Sequence, residues 1–224
     1  MNATMIGLDI AKNVFQVHGV DAEGEVMIRR QLRRSQVIAF FKNLPPCLVG
    51  MEACATSHYW AREIEKLGHT VRLMPPAYVK PYVKRNKNDA ADAEAICEAV
   101  TRPSMRFVAI KNEEQQGVLM LHRTCELLVR QRTMLVSAIR GHMAEYGIVA
   151  RAGLPHVKAL LAVIADPEVT RLPPDARTSL QGLAVQLLSV DQEIVAAERR
   201  IHARHRSNPV TTIAYMSRLV SRRF

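Results

Sequence analysis

Thr4-Met5-Ile6-Gly7-Leu8-Asp9 is the stretch on which the reading of this chain turns. A short apolar run that stops on a carboxylate reads as a buried strand delivering an acidic side chain to one edge of a sheet. Working outward, Val14 to Val20 is a second β-rich stretch that ends in the turn-like Asp21-Ala22-Glu23-Gly24, and Glu25 to Leu32 is a third. Strands joined by so short a turn predict an antiparallel three-strand start. Ser35 is placed to cap a short helix carrying Val37, Ile38, Phe40 and Phe41, which Pro45-Pro46 stops. Cys47 to Met51 then reads as a buried strand delivering Glu52, a helix from Ser57 to Leu67 ends at Gly68, and Thr70 to Met74 is a fifth strand. Three meandering strands followed by βα alternation predict an α/β fold, a mixed five-stranded sheet with helices on both faces.

Beyond Pro103 the pattern changes. Asn112 to Tyr146 contains no proline, and Val118, Leu121, Cys125, Leu128, Leu135 and Ile139 fall at three- and four-residue steps with Arg132 interrupting them. Leu180, Leu183, Leu187, Val190, Ile194, Ala197 and Ile201 keep the same rhythm without a break, the pattern of a coiled-coil seam. Between them lies a Pro- and Gly-marked region with room for a short helix at Val157 to Ala165. The expectation is an α/β domain over 1–111, a long antiparallel helical hairpin over 112–207, and a basic tail over 208–224. Packing of both stripes on the sheet is the competing reading, since ordinary core helices share this period.

With 48% hydrophobic and 23% charged residues in 224, the chain is of a size to bury a sizeable core. Lys and Arg total 31 against 21 Asp and Glu, a net charge of +10, which favours a polyanionic partner. Cys47, Cys54, Cys97 and Cys125 have neither CxxC pairing nor histidines at zinc-ligand spacing, so no zinc site and no disulfide framework is expected. No run approaches the length of a membrane span and no signal segment is apparent, which places the chain in a bacterial cytoplasm, on the nucleoid.

Asp9 and Glu52 end two buried strands, and Asp89 and Asp92 stand three residues apart in Lys87-Asn88-Asp89-Ala90-Ala91-Asp92, on one face of a helix. Two like charges about 4 Å apart repel by on the order of 4 kcal/mol at an effective dielectric near 20, so convergence of these acids calls for a cation. All-oxygen donors select Mg²⁺ or Mn²⁺, and a pair of such ions assists phosphodiester displacement. Taken singly each acid has a duller reading: Asp9 or Asp89 as a helix cap, Asp92 and Glu94 as solvated helix charges.

The strings Ile6-Gly7-Leu8-Asp9-Ile10-Ala11-Lys12, Gly50-Met51-Glu52-Ala53 through Thr56 to Tyr59-Trp60, and Lys84-Arg85-Asn86-Lys87-Asn88-Asp89-Ala90-Ala91-Asp92-Ala93 together resemble the DEDD-type transposases of the insertion-sequence 110 family, including its 1111 group and the related Piv-like recombinases. The resemblance covers roughly residues 3 to 207. It implies an RNase H/RuvC-like domain in which Asp9, Glu52, Asp89 and Asp92 are the catalytic tetrad that binds Mg²⁺. It also implies DNA as substrate, a structured guide (bridge) RNA as partner, and assembly into homo-oligomers through the long helices. Family members continue into a domain carrying a serine nucleophile, which this chain lacks before Phe224, so a truncated transposase is expected; Ser217 and Ser221 in the tail are not assigned that role. The function expected is transposition or site-specific recombination. An inactive nucleic-acid-binding remnant and a RuvC-like junction nuclease are the alternatives.

For nucleic-acid contacts the candidates are Lys12, the cluster Arg29, Arg30, Arg33 and Arg34 beside the third strand, and Lys80, Lys84, Arg85 and Lys87 before the helical acids. Such cations hold phosphates without reading sequence. Arginines from Arg199 to Arg223 make the C-terminal end strongly positive. Tyr78 and Tyr82 are expected to pack in a loop rather than stack on bases, and Trp60 is expected in the core.

Overall fold

A computed structural model describes residues 3–83 and 89–207, with the side chains of residues 89, 90 and 207 outside the description. Strands β1 (Met5–Ile10), β2 (Val14–Val20) and β3 (Val26–Arg33) form the expected meander. The turn between β2 and β3 holds because Asp21 Oδ1 accepts the backbone N–H groups of Glu23 (3.1 Å) and Glu25 (2.8 Å), and Gly24 takes φ +89°, where a side chain would be strained. β4 (Leu48–Glu52) and β5 (Thr70–Met74) complete a sheet of order β3-β2-β1-β4-β5. β1 pairs antiparallel with β2 and parallel with β4, which makes the sheet mixed. Glu52 is the last residue of β4, whereas β1 runs one residue past Asp9.

Alternation along the strands sends every second side chain to each face. On one face Ile6, Leu8, Phe15, Val17, Val49 and Met51 are buried under α1 (Val37–Lys42) and α2 (Ser57–Glu65). Trp60 belongs to this core, its ring edge-on to Phe15 at 5.1 Å between centroids. The entry to α1 differs from expectation. The cap is not Ser35: a 3₁₀ turn, Arg34–Gln36, precedes the helix, and Gln36 Oε1 accepts the N–H of Arg33 at 2.8 Å, because the longer amide reaches back a full turn. His69, buried at the base of β5, accepts the N–H of Cys47 at Nδ1 (3.2 Å) and places Nε2 2.9 Å from the carbonyl of Phe41, tying α1 to the sheet. Gly68 adopts φ +93°, three residues beyond Glu65, the last residue of α2.

The opposite face is covered by α4 (Asp89–Ala99), preceded by a short unanticipated helix, α3 (Pro76–Val79). Glycine decides this contact. A Cβ on Gly7 would lie 2.1 Å from the carbonyl oxygen of Ala93 and 2.5 Å from the amide nitrogen of Cys97, and one on Gly50 would lie 2.8 Å from Cβ of Val100. The two glycines let the backbone of α4 rest against the strands. Met74, Val79, Ala95, Ile96, Ala99 and Val100 form the small apolar cluster beneath it.

The contacts divide the chain into two compact units, Met1–Glu114 and Gln115–Phe224. The second is built from α5 (Glu113–Ala144), α6 (Val157–Ala165) and α7 (Pro174–Ser207). The long helices run antiparallel: His122 meets His205 at 5.7 Å between ring centroids, Arg132 pairs with Asp191 at 3.4 Å, and Ile139 and Met143 share a core with Leu180 and Leu187. The break in the stripe at Arg132 is thus occupied by an ion pair across the hairpin. Arg140 donates to the carbonyls of Arg151 (2.7 Å) and Gly153 (2.8 Å), and Arg177 to those of Ile164 (3.0 Å) and Asp166 (2.6 Å), which satisfies backbone groups where the connecting loops leave the helices. Among the described residues no helix is long and apolar enough to cross a membrane.

Candidate functional site

The register of the sheet brings two of the predicted acids to one rim. Gly7 pairs with Gly50 and Leu8 with Met51 in the parallel ladder, so the next step sets Asp9 beside Glu52, one strand spacing or about 5 Å away. Asp9 shares the face of Gly7, and Glu52 that of Gly50, by two-residue alternation; both therefore belong to the α4 face. Asp92 stands on α4 next to Ala93, the residue whose carbonyl lies against Gly7. Asp89 is the first residue of α4, and its side chain lies outside the described residues. Among the described residues no group of three or more His, Cys, Asp or Glu stands close enough to hold a metal ion.

A third group reports on the potential at this rim. Cys54, exposed by its surface but partly shielded by neighbouring backbone, has its thiol pushed above the usual range, first by that desolvation, then by the negative charge of Glu52 and more weakly of Asp9. The segment leaving β4 is tightly wound: Ser57 Oγ donates to the carbonyl of Cys54 at 2.9 Å, and Thr56, at φ +73°, is the one non-glycine with positive φ among the described residues. Left-handed backbone costs a β-branched residue about 1–2 kcal/mol, and here it is held immediately beyond the Glu52 rim.

The basic candidates separate. Lys12, Arg29, Arg30, Arg33 and Lys80 are exposed. Arg34 is half-buried, its guanidinium 5.1 Å from the centroid of Trp60 and 5.9 Å from that of Phe15, with Nη1 3.4 Å from the carbonyl of Lys12; it packs the outer end of the core. Lys84, Arg85 and Lys87 lie outside the described residues. Tyr82 packs under Arg102, 5.7 Å from its guanidinium, while Tyr78 is exposed.

Two features escaped the sequence. One is a cleft of about 370 Å³ beside the rim, lined by Gln16, His18, Arg29, Arg30, Gln31 and Glu94 among others. The alternation of β2 and β3 could have placed Gln16 and Gln31 on the face of Asp9, but only with the register in hand. The other is His58 of α2, whose Nδ1 accepts the N–H of Lys111 (3.1 Å) and whose Nε2 lies 3.2 Å from the Lys111 ammonium, while Arg62 Nη1 donates to the Lys111 carbonyl at 2.7 Å. Burial first, then Lys111 and Arg62, hold His58 below the usual histidine range.

A mixed sheet of order β3-β2-β1-β4-β5, helices on both faces, and carboxylates at the ends of the two central parallel strands define an α/β protein of RNase H/RuvC-like architecture. The sequence model of the family DEDD_Tnp_IS110, described as a transposase, matches residues 6–148. Over 209 residues the chain is 52% identical to a Pseudomonas aeruginosa protein named "Probable family 20 transposase", covering 93% of this chain and 62% of that one. It is 44% identical over 173 residues to the transposase for insertion sequence element IS1328 of Yersinia enterocolitica, covering 77% of this chain and 51% of the relative. To the transposase for insertion sequence element IS1111A of Coxiella burnetii it is 39% identical over 204 residues, covering 91% and 56%. The chain belongs to the insertion-sequence 110 family of DEDD transposases, and it spans between 51% and 62% of the length of these relatives.

Proposed function

We propose that this chain provides the metal-binding portion of a transposase that cleaves and transfers DNA strands, with Asp9, Glu52, Asp89 and Asp92 as its tetrad. The observation that supports this most is the adjacency of Asp9 and Glu52 on neighbouring parallel strands, on the face that α4 crosses with Asp92. The donor set suits Mg²⁺ or Mn²⁺, because carboxylates are hard oxygen ligands. When bound, such an ion supplies charge neutralisation for phosphodiester displacement. The chain's own part would be to hold Asp9 and Glu52 at a fixed separation through the sheet, with Asp92 supplied from α4. Lys12, Arg29, Arg30, Arg33 and Lys80 would take backbone phosphates alongside, with Lys84, Arg85 and Lys87 extending that contact.

The net charge of +10 suits both DNA and a structured guide RNA, which the family resemblance brings to the reading, and such a protein would act on the bacterial nucleoid in the cytoplasm. Assembly through the long helices is part of the same proposal. Met120, Leu127 and Met134 lie exposed at seven-residue steps on α5, and Val185, Leu188 and Val195 lie exposed on α7.

The test is strand cleavage of element-end DNA, with its guide RNA, by this chain alone and by a relative-length version. Cleavage that requires Mg²⁺ or Mn²⁺, and that falls by more than about 100-fold in Glu52→Gln, is expected, since even outer-shell partners of a metal cost 10–100-fold. Cleavage by the relative-length version that is indifferent to chelator and to Glu52→Gln would refute the metal-dependent reading.

A further inference from the structure

The cleft beside the rim carries an inference that rests on the reading above and deepens it. Asp9 pairs with Gln16 and Gln16 with Gln31, while in the neighbouring row Gly7 pairs with His18 and His18 with Arg29. Paired residues of an antiparallel ladder point to the same face, so Glu52, Asp9, Gln16 and Gln31 form one transverse line across four strands, on the face of α4. The line begins at the two adjacent carboxylates and ends at β3, an edge strand whose outer side has no neighbour in the sheet. At that end the cleft of about 370 Å³ opens, with the amides of Gln16 and Gln31 on one wall, Glu94 of α4 on the other, buried His18 in its lining, and the exposed Arg29 at its mouth.

The chemistry of this lining is specific. Glutamine amides carry a donor and an acceptor side by side and match the edge of a base, a carboxylate accepts from an exocyclic amino group, and arginine takes phosphate or a guanine edge. A pocket for a phosphate alone would have no use for Glu94, and a metal site would have no use for two amides and a guanidinium.

We propose that the cleft holds the nucleotide adjacent to the phosphate processed at the Asp9–Glu52 rim, with its base read by Gln16, Gln31 and Glu94 and its backbone held by Arg29. The site thereby selects the base flanking the point of cleavage, a choice made by protein side chains and not by base pairing.

The experiment uses the full 224-residue chain in Ca²⁺ buffer and labelled single-stranded homopolymers of dA, dC, dG and dT, with the RNA counterparts alongside, read by fluorescence anisotropy over a salt series. The wild-type chain is expected to rank the four bases over a range of about fivefold or more, the discrimination of one well-made base contact. Gln16→Leu/Gln31→Leu is expected to flatten that ranking while the salt dependence stays unchanged. Arg29→Ala is expected to weaken all four alike and to lower the slope of log affinity against log salt by about one. The same flattening on RNA as on DNA, or on one of them alone, identifies the strand that enters. A wild-type chain that binds but is indifferent to base identity, or variants that keep the wild-type ranking and slope, would overturn the cleft assignment alone. A wild-type chain that binds no polynucleotide would overturn it together with the nucleic-acid reading of the rim.

Discussion

The two faces of one sheet are put together by opposite rules. On the α1/α2 face the strands carry bulky residues, Ile6, Leu8, Phe15, Val17, Val49 and Met51, and the helices stand off on side chains such as Phe41 and Trp60. On the α4 face the same strands carry Gly7 and Gly50, the helix backbone touches the sheet, and the positions next along are Asp9, Glu52, Gln16 and Gln31. The first face holds the larger apolar core, and the second joins a smaller apolar cluster under α4 to a polar rim held at fixed spacing. Alternation along five strands suffices to keep them apart.

The contrast is sharpest at neighbouring residues. Gly7→Val drives a branched side chain into the backbone of Ala93 and Cys97, which cannot retreat without lifting α4, so a loss of ~4 kcal/mol or more is expected in urea unfolding, or no folded protein at all. A variant of near wild-type stability would mean that α4 does not rest on the strands. On the other face Phe41→Ala leaves a cavity among Phe40, His69 and the sheet core, at a cost of about 3–5 kcal/mol. That variant should keep its divalent-ion affinity once folded, whereas replacements on the α4 face should not.

A smaller effect tests the join between α2 and the segment at Lys111. A protonated His58 ring would face the Lys111 N–H, its ammonium and Arg62, so the folded state binds that proton less readily than the unfolded chain. The unfolded state then holds more protons over the window below the usual histidine value of 6.5, and stability falls as pH drops through it. Thermal unfolding from pH 7.5 to 5 should show wild type losing more than His58→Gln. Parallel curves would remove His58 from the join.

The elements that were legible were those whose signal is local. Val14 to Val20, Thr70 to Met74 and Val157 to Ala165 follow from apolar runs bounded by turn residues, and the sheet and its helices take the predicted order apart from α3. That Asp9 and Glu52 come to one edge of the sheet was legible because each follows an apolar run that reads as a buried strand. The 3₁₀ entry to α1 was not, because it depends on whether Gln36 or Ser35 reaches the chain end. Nor was the cleft, since Gln16 and Gln31 stand fifteen residues apart, 73 and 58 residues before the start of α4 at Asp89, and become neighbours only through the strand register. Gly7 and Gly50 read from sequence as mere parts of apolar runs; their need appears only when α4 is laid across them.

The most direct measurement is calorimetric titration of Mn²⁺ into the wild-type chain and into Asp9→Ala/Glu52→Ala, with circular dichroism to establish that both are folded. Saturable binding by the wild type that the double variant has lost is the expected result. Equal binding by both, or none by the folded wild type, would contradict a metal centre at this rim.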